Sequence, residues 1–597
     1  MTLKLTDQRD IDFVLYEQLK VDTFLASDKY KALNKKMFDM VVKEAKNLAV
    51  KEIFPTYTEC DTEDVIFENG MVNVPECLRK PYKLIVEGEW GALTENPEHG
   101  GQGLPFTIAQ AAMEYLSGAN YVLTMYPILS HGAGKMIELF GTGEQKDLFL
   151  EKLYTGVWGG TMMLTEPDAG SDVGALTTSA KRLSDRTYEI SGSKIFITNG
   201  EQNLTDNIIH PVLARIEGSP EGSKGISLFI VPKIWVNRDG TFGDYNDVIC
   251  TGVEHKMGLH GSPTCSMSLG SKGKCRGFLL GEPNQGMEIM FHMMNEVRLV
   301  VARQAFTSAN LAFQYALDYA KNRVQGRRVE MSAVADSVSI IRHPDVKRML
   351  LRMKSYVEGL RSLVYYIAYC FDKKELSADK KETAHYSNLI EILTPVAKAY
   401  SSEKGFDVCV EAMQIFGGYG YTKEYPVEQM VRDCKIASIY EGANGIQAID
   451  FLGRKVAGKK GEMLDTLIHE ITATVSAAKT HDSLVEMATT LEDVLILFET
   501  TCKNTSRAIF SEHMTSAFAC AHPLMEATGD ILMAWMLLWR AVVADDQRAE
   551  TRDVAFYQGK IRTAQFFITT IIPITMGKLF AITYEDNPAA CMEEHFF

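Results

Sequence analysis

The chain has 597 residues, of which 46% are apolar and 23% are charged, and its formal net charge is −15. This length exceeds what one hydrophobic core holds and favours roughly three to five domains or layers. The ordinary composition excludes extended disorder. A diffuse acidic surface without a basic cluster disfavours nucleic-acid binding.

The cysteines and the apolar segments bear on where the protein works. Its eleven cysteines are odd in number and contain no CxxC pair, which favours reduced thiols over disulfides or a zinc site. The N-terminus has early acidic residues and no apolar segment, so we expect no signal peptide. The most apolar stretches, 531–543 and 566–576, are shorter than the about 18 apolar residues of a membrane span. We therefore expect a cytoplasmic protein with no membrane span.

Hydrophobic periodicity predicts four regions in chain order. Residues 1–157 form an N-terminal helical domain, with helices over 31–50 and 108–123 and a glycine-rich loop at 96–103. Short β-branched runs at 188–198, 208–216 and 225–232 predict an antiparallel β-domain over 158–283. Helical spacing at 299–320 and 389–413 predicts a bundle over 284–455. An apolar face at 463–475 and a helix at 491–497 predict an extra C-terminal helical domain over 456–597. The fold class is mainly α with a central β-domain.

The segment IYEGANGIQ at 439–447 places one carboxylate, Glu441, in a glycine-flanked bend between two apolar runs. A carboxylate that projects from such a bend into an apolar cleft has a raised pKa and can act as a general base near neutral pH. Taken alone, a solvated surface carboxylate is the more common interpretation. The other motifs of the chain favour the base.

Four further segments carry chemistry. LTEPDAGSD at 164–172 contains Pro and Gly, which leave main-chain amides and the hydroxyls of Thr165 and Ser171 free to face a ligand. KIFITNG at 194–200 presents Phe196, whose ring could stack on a planar group. NEVR at 295–298 is followed by RVQG at 323–326 near the end of a long helix, and QIFGGYG at 414–420 leads into the Glu441 segment.

These motifs, in this order over residues 90–455, resemble the acyl-CoA dehydrogenase family. The N-terminal extension, the RVQG segment and the extra C-terminal domain resemble the large subgroup that includes 3-methylmercaptopropionyl-CoA dehydrogenase. The resemblance implies FAD and the α,β-dehydrogenation of an acyl-CoA thioester to the 2-enoyl-CoA. Glu441 would take the α-proton while the β-hydrogen leaves as hydride to flavin N5, and electrons would pass to an electron-transferring flavoprotein. The main-chain N–H of Glu441 and a flavin ribityl hydroxyl would polarise the thioester oxygen.

The resemblance also implies binding roles, residue by residue. The flavin and the rest of FAD would contact Leu164, Thr165, Ser171, Phe196, Ile197, Thr198, Arg323, Gln325, Gln414, Gly417, Gly418 and Asn444. The acyl-CoA would contact Ser171, Asn295, Arg298 and Gly442. Because the Arg323 and Gln414–Gly418 contacts would cross a subunit interface, a homodimer or a dimer of dimers is expected.

Several positions depart from the family pattern. Ala443 stands where Thr is usual, Phe196 where Trp is common and Asn295 where Asp is usual, and the segment between Arg323 and His343 is longer than in the short members. Simple structural roles also fit some positions: turn formation for Thr165 and Ser171, pairing with a neighbour for Arg298, and a helix end for the two glycines.

Two other functions share these motifs. An acyl-CoA oxidase has the same base but delivers electrons to oxygen. A non-dehydrogenating flavoprotein of the DNA-damage-response type would bind duplex DNA, which the net charge and the presence of Glu441 disfavour. The length, branching and aromatic character of the acyl group stay open.

Overall fold

A computed structural model describes residues 4–329, 336–548, 553–582 and 587–597. The fold is mainly helical with one central β-domain, as predicted. The N-terminal helices are α1 (Gln8–Asp12), α2 (Lys35–Leu48), α3 (Thr56–Thr62), α4 (Arg79–Glu87), α5 (Phe106–Ala119), α6 (Tyr121–Phe140) and α7 (Gly143–Tyr154). The helix predicted over 108–123 is interrupted at Asn120, whose extended backbone (φ −161°, ψ 103°) ends α5 and begins α6.

The strands begin with a small hairpin and continue through the β-domain. They are β1 (Ile66–Glu68), β2 (Met71–Asn73), β3 (Gly159–Gly160), β4 (Ser179–Arg182), β5 (Tyr188–Thr198), β6 (Ile208–Ile216), β7 (Ile226–Pro232), β8 (Ile234–Val236), β9 (Phe242–Tyr245), β10 (Val248–Val253), β11 (Thr264–Leu269) and β12 (Arg276–Leu280). The three strands predicted from β-branched runs coincide with β5, β6 and β7, apart from one residue at the start of β7.

Helices then continue to the C-terminus. They are α8 (Gly286–Asn322), α9 (Pro344–Leu376), α10 (Lys380–Phe416), α11 (Val427–Lys435), α12 (Asn444–Asp450), α13 (Glu462–Ala478), α14 (Val485–Ala508), α15 (Met514–Ala519), α16 (Ala521–Arg548), α17 (Val554–Thr570), α18 (Ile572–Phe580) and α19 (Pro588–Cys591). α8 and α10 contain the predicted helices and extend beyond both of their ends.

The main sheet has eight strands. Its order is β10-β11-β5-β12-β7-β6-β3, and β4 pairs with both β5 and β6. Most neighbours are antiparallel, as predicted, whereas β3 and β4 each pair with β6 in parallel. β5 is the long central strand, and it carries a bulge: Lys194 pairs with Met267 and Ile197 with Cys265, so β5 has one extra residue there.

Residue packing divides the chain into two compact units. The first unit comprises Met1–Met40, Phe106–Glu114 and Arg298–Phe597, and the second comprises Val41–Pro105 and Tyr115–Val297. The core of the second unit joins the buried faces of α6 and α7 to β6 and β7, and it includes Met290 and Met293 of α8. The division into four domains at 157, 283 and 455 stays a prediction.

A buried ionic network holds the first unit together. Asp10 of α1 accepts hydrogen bonds from Arg361 of α9, Arg540 of α16 and Lys560 of α17. Glu114 of α5 accepts from Arg361 at 2.8 Å. All of these side chains are buried, and the surrounding cations hold the pKa of Asp10 well below its ordinary range in spite of its burial. The network therefore ties the N-terminal residues and the extra C-terminal helices to the bundle.

Two helical stretches are long and apolar enough to cross a membrane by length and composition alone. They are Ala521–Arg548 and Val554–Phe580, whose apolar windows are 89% and 39% buried inside the protein. Mostly buried core helices also pass this test, and the first stretch is mostly buried.

Asp10→Asn should destabilise the protein by about 3–5 kcal/mol, because it leaves the buried cations of this network without their shared carboxylate. Differential scanning calorimetry of the variant and the parent protein measures the effect. Asp28→Asn is the matched control, since Asp28 is 99% exposed and pairs with Lys31 on the surface. Equal transition temperatures for Asp10→Asn and the parent would contradict the role given to the network.

Candidate active site

In the second unit, the segment after β3 is fixed by a fully buried lysine. The Nζ of Lys194 donates to the main-chain oxygen of Leu164 at 3.0 Å and to Oε1 of Glu166 at 2.8 Å. Glu166 also accepts from the amides and hydroxyls of Thr177 and Thr178. Burial alone would raise the pKa of Glu166, but these hydrogen bonds lower it from 4.5 to about 2. The main chain at Leu164 and Thr165 is therefore held rigidly.

Phe196 stands on the bulge of β5 beside this segment. Its backbone is left-handed (φ 57°) and the residue is 59% exposed, which is unusual for a phenylalanine inside a strand. The amide of Ile195 donates to the oxygen of Thr165 at 3.0 Å, so the bulge and the 164–166 segment lie side by side. Together they present an exposed aromatic ring next to the half-buried side chains of Leu164 and Thr165.

In the first unit, an exposed surface forms where α8 and α10 end. Tyr319 stacks on Phe416 with ring centroids 4.1 Å apart, and the guanidinium carbon of Arg323 lies 6.0 Å from the ring centroid of Tyr419. Gly417 has φ 62° and, like Gly418, would have no atom within 4 Å of an added Cβ. We call this exposed set, Arg323, Gln325, Gln414, Gly417 and Gly418, the helix-end surface.

The structure describes only part of the long segment between Arg323 and His343. Residues 323–326 pair with 338–340 through main-chain hydrogen bonds, including Ile340 N to Arg323 O at 2.8 Å. Residues 330–335 lie outside the described part of the chain.

Also in the first unit, Glu441 occupies a strained bend that we call the Glu441 bend, residues 439–443. Glu441 and Gly442 both have left-handed backbones, with φ 54° and 84°. Nε2 of Gln447 donates to the carbonyl oxygens of both residues at 3.1 Å. Nζ of Lys398, from the middle of α10, donates to the Gly442 oxygen at 2.7 Å. These bonds hold a conformation that a residue with a side chain rarely adopts.

The charges around Glu441 set its protonation. Its side chain is half-buried, and among the described residues no hydrogen bond reaches its carboxylate. Burial raises the pKa of Glu441 against the opposing effect of the cations Lys398 and Arg298. Burial likewise lowers the pKa of Lys398 to about 8, against the effect of Glu441. A carboxylate with a raised pKa and no hydrogen-bond donor on it is suited to accept a proton.

Arg298 is one of the charged residues around Glu441 and does not lie at the surface. It is buried, and its Nη1 donates to Oδ2 of Asp450 at 2.8 Å. Its Nε is also buried and, within the described residues, has no hydrogen-bond partner. The structure thus brings Arg298 together with Glu441 and Gly442, and its contact with the CoA portion of a substrate stays a prediction.

The structure places the side chain of Asn444, for which a cofactor contact is predicted, inside the first unit. It is buried, its Oδ1 accepts from Lys398 at 3.1 Å and its Nδ2 donates to Glu403 at 2.8 Å. Both ends of the amide are therefore used inside the first unit. The cofactor contact of Asn444 stays a prediction.

The remaining predicted residues differ in exposure. Ser171 is exposed, Thr198 and Asn295 are half-buried, and Ile197 is buried on the inner side of β5. Ser171, Ile197, Thr198 and Asn295 belong to the second unit.

Sequence reasoning missed Lys398 and Gln447. Gln447 lies inside the quoted IYEGANGIQ motif, and its amide is the partner that the bend requires. Lys398 lies between Val396, Ala397 and Ala399 in a largely apolar segment that also contains Glu391, so the sequence signal for it was weak. A lysine on a buried helix face needs hydrogen-bond acceptors, and here the bend supplies one, the carbonyl oxygen of Gly442.

Comparison with known proteins identifies the class. Models of the acyl-CoA dehydrogenase N-terminal, middle and C-terminal domains match residues 36–157, 161–271 and 284–456. A further model, "Acetyl-CoA dehydrogenase C-terminal like", matches residues 467–593. The chain belongs to the acyl-CoA dehydrogenase family. The family consists of FAD-dependent oxidoreductases of fatty-acid β-oxidation, so this protein is an FAD-dependent enzyme.

Two relatives match most of their length. The chain is 38% identical to 3-methylmercaptopropionyl-CoA dehydrogenase of Ruegeria pomeroyi over 87% of this chain and 88% of that protein. It is 35% identical to a butyryl-CoA dehydrogenase of Syntrophomonas wolfei over 99% of both chains.

Two solved structures show the same fold. One, from work on the electron transferring flavoprotein of Acidaminococcus fermentans, is 30% identical and covers 70% of this chain and 97% of its own, with a TM-score of 0.58. The other, an acyl-CoA dehydrogenase of Bacillus anthracis complexed with FAD, covers 94% of this chain and 89% of its own at 21% identity, with a TM-score of 0.72. The second likeness extends the fold agreement to the C-terminal helices.

The residues present fit FAD. Phe196 offers an exposed aromatic face for a flat ring system, next to a rigid main chain. The open glycines of the helix-end surface permit close approach of a phosphate group, and Arg323 beside them supplies positive charge.

Gly442→Ala should destabilise the protein by about 1–3 kcal/mol, since an added side chain is strained at φ 84° and its Cβ would lie 2.5 Å from Nε2 of Gln447. Thermal unfolding followed by circular dichroism measures the loss. Gly445→Ala is the control three residues away: nothing lies within 4 Å of its added Cβ, and the site is helical. Equal unfolding temperatures for the two variants would contradict the account of the bend.

Lys194→Met should lower the free energy of unfolding by about 3–5 kcal/mol at neutral pH, because Glu166 stays buried without its cation.

The same variant should unfold differently in acid. The pKa of Glu166 is lowered in the folded protein, so its stabilisation is present above pH 4.5 and is lost as the pH falls towards 2. Without Lys194 that pKa rises, and acid unfolding should begin at a higher pH. Acid titration of the variant, with exposed Lys181→Met as control, measures this shift; identical acid transitions would refute it.

Proposed function

We propose that the protein dehydrogenates an acyl-CoA thioester to the 2-enoyl-CoA, with Glu441 as the base that removes the α-proton. The observation that carries the proposal is the half-buried Glu441 carboxylate, which receives no hydrogen bond from the described residues and has a raised pKa. A proton acceptor needs a free lone pair and a pKa nearer neutrality than that of an exposed carboxylate. The Glu441 bend supplies both.

The bend also offers a donor for the substrate. Within the described residues, the main-chain N–H of Glu441 donates no hydrogen bond. An N–H that points at the thioester oxygen stabilises the negative charge that develops as the α-proton leaves, and one such donor is worth about 2.7–4 kcal/mol in comparable sites. Base and donor then belong to one residue, so the geometry of the bend controls both.

FAD supplies the acceptor for the hydride that leaves Cβ as the double bond forms. The residues proposed to hold it are Leu164, Thr165 and Phe196 of the second unit and the helix-end surface of the first. The proposal includes a homodimer in which the helix-end surface serves the cofactor of the partner copy, as the resemblance to the family implies.

The substrate, the electron acceptor and the location are part of the same proposal. The Syntrophomonas wolfei relative acts on butyryl-CoA and the Ruegeria pomeroyi relative on 3-methylmercaptopropionyl-CoA, which supports a short acyl chain. The Acidaminococcus fermentans work concerns an electron transferring flavoprotein, which supports such a partner as acceptor. All eleven cysteines are thiols, which supports a reducing cytoplasm.

Glu441→Gln should retain FAD but lose its reduction by butyryl-CoA, because the proton transfer has no acceptor; a loss of at least about 10²–10⁴-fold is expected. Anaerobic stopped-flow absorbance of the flavin measures the rate. Glu424→Gln, at an exposed position of the same unit, is the matched control. Reduction of Glu441→Gln at the parent rate would overturn the assignment, and steady peroxide production in air would favour an oxidase.

A further inference from the structure

Lys398 is a buried lysine with an unusual set of partners. It is 0% exposed, and its Nζ donates to a carbonyl, that of Gly442 at 2.7 Å, and to an amide oxygen, that of Asn444 at 3.1 Å. Within the described residues it forms no salt bridge. The carboxylate with the largest effect on Lys398 is Glu441.

A second lysine on the same helix shows the ordinary arrangement. Lys404 of α10 is also buried, but its Nζ lies 2.9 Å from Oε1 of Glu526. Its charge is thus compensated by a direct ion pair that has no contact with the bend. Burying an ammonium without such a pair is costly, and a neutral side chain such as Met would fill the same space. A lysine at this position therefore indicates a role that depends on its positive charge.

Asn444, one of the two acceptors of Lys398, is held in place by other side chains. Nδ2 of Asn444 donates to Oγ of Ser402 at 3.0 Å and to Oε1 of Glu403 at 2.8 Å. Nε2 of His522, from α16 of the C-terminal helices, lies 2.8 Å from the same Oε1 of Glu403. Because this chain fixes Asn444, the ammonium stays against the carbonyl of Gly442, the residue that follows Glu441.

We propose that Lys398 is a positioning residue for the base: its ammonium fixes the Glu441 bend through the Gly442 carbonyl and places a positive charge next to the residue that carries the base. This inference rests on the proposed function, in which Glu441 is the base. It goes further by assigning the protonation of that base to a cation outside the motifs of the sequence.

The charged groups around the pair determine the expected pH dependence. Glu441 is faced by Lys398 and Arg298, and Lys398 is faced by Glu441, Arg298 and Glu403. Arg298 is paired with Asp450. Removing the Lys398 charge leaves Arg298 as the one cation of this set, so the pKa of Glu441 must rise. An opposite charge at close range lowers a carboxyl pKa by about 1–3 units.

The first test measures that pKa without catalysis. Infrared difference spectra of the substrate-free holoprotein, recorded across pH, follow the carboxylic acid band of Glu441, which is assigned by its loss in Glu441→Gln. Lys398→Met should move the titration to higher pH by about one unit or more. Lys398→Arg should move it back toward the parent value, and Lys404→Met should leave it unchanged. An unchanged titration in Lys398→Met overturns the proposal; should that variant fail to fold, Lys398→Gln gives the same decision.

The second test uses the reaction. Lys398→Met should slow anaerobic flavin reduction most at low pH, by about tenfold for each unit of pKa shift where Glu441 is mainly protonated, and raising the pH should recover that part of the rate. A purely structural role would lower the rate equally at every pH, and that result would also overturn the proposal. If the parent protein is reduced by no acyl-CoA, the proposed function fails, and the infrared titration still decides the role of Lys398.

Discussion

The left-handed backbone at Glu441 and Gly442 is the constraint on which the site depends. A residue with a side chain pays of the order of 1–3 kcal/mol to stay in such a conformation. Two long side chains offset this cost by binding the carbonyl oxygens of the bend: Gln447 from α12 and Lys398 from α10. Without them the chain could relax, and neither the carboxylate nor the N–H of Glu441 would keep its direction.

Burial and charge act on the base in opposite directions. Another carboxyl of the same unit shows the effect of burial: burial raises the pKa of Asp372 to about 7, although three hydrogen bonds reach it. In the described part of the chain Glu441 accepts no such bonds, and the cations Lys398 and Arg298 stabilise its ionised form instead. One pKa unit corresponds to about 1.4 kcal/mol, which is comparable to the strength of a single hydrogen bond. Small changes around the bend should therefore change the fraction of active base.

Local patterns predicted the parts of the fold that depend on neighbours in sequence. β5, β6 and β7 matched because β-branched runs ended by turn residues are read directly from the chain. The break at Asn120 was missed, since its side chain is held by Thr56, distant in sequence. The network around Asp10 joins residues more than 500 positions apart, and no periodicity reports it. In the site, motifs located Glu441, but the inward-facing amide of Asn444 and the role of Lys398 depend on packing between helices.

The central claim is that Glu441 removes the α-proton, and it can be tested apart from flavin reduction. Acetyl-CoA has α-hydrogens but no β-hydrogen, so a protein that binds it in D₂O can exchange the α-hydrogens without transferring a hydride. The decisive measurement is the rate of this exchange by proton NMR. The account predicts exchange with the parent protein and its loss in Glu441→Gln. Exchange that continues at the parent rate in that variant would contradict it.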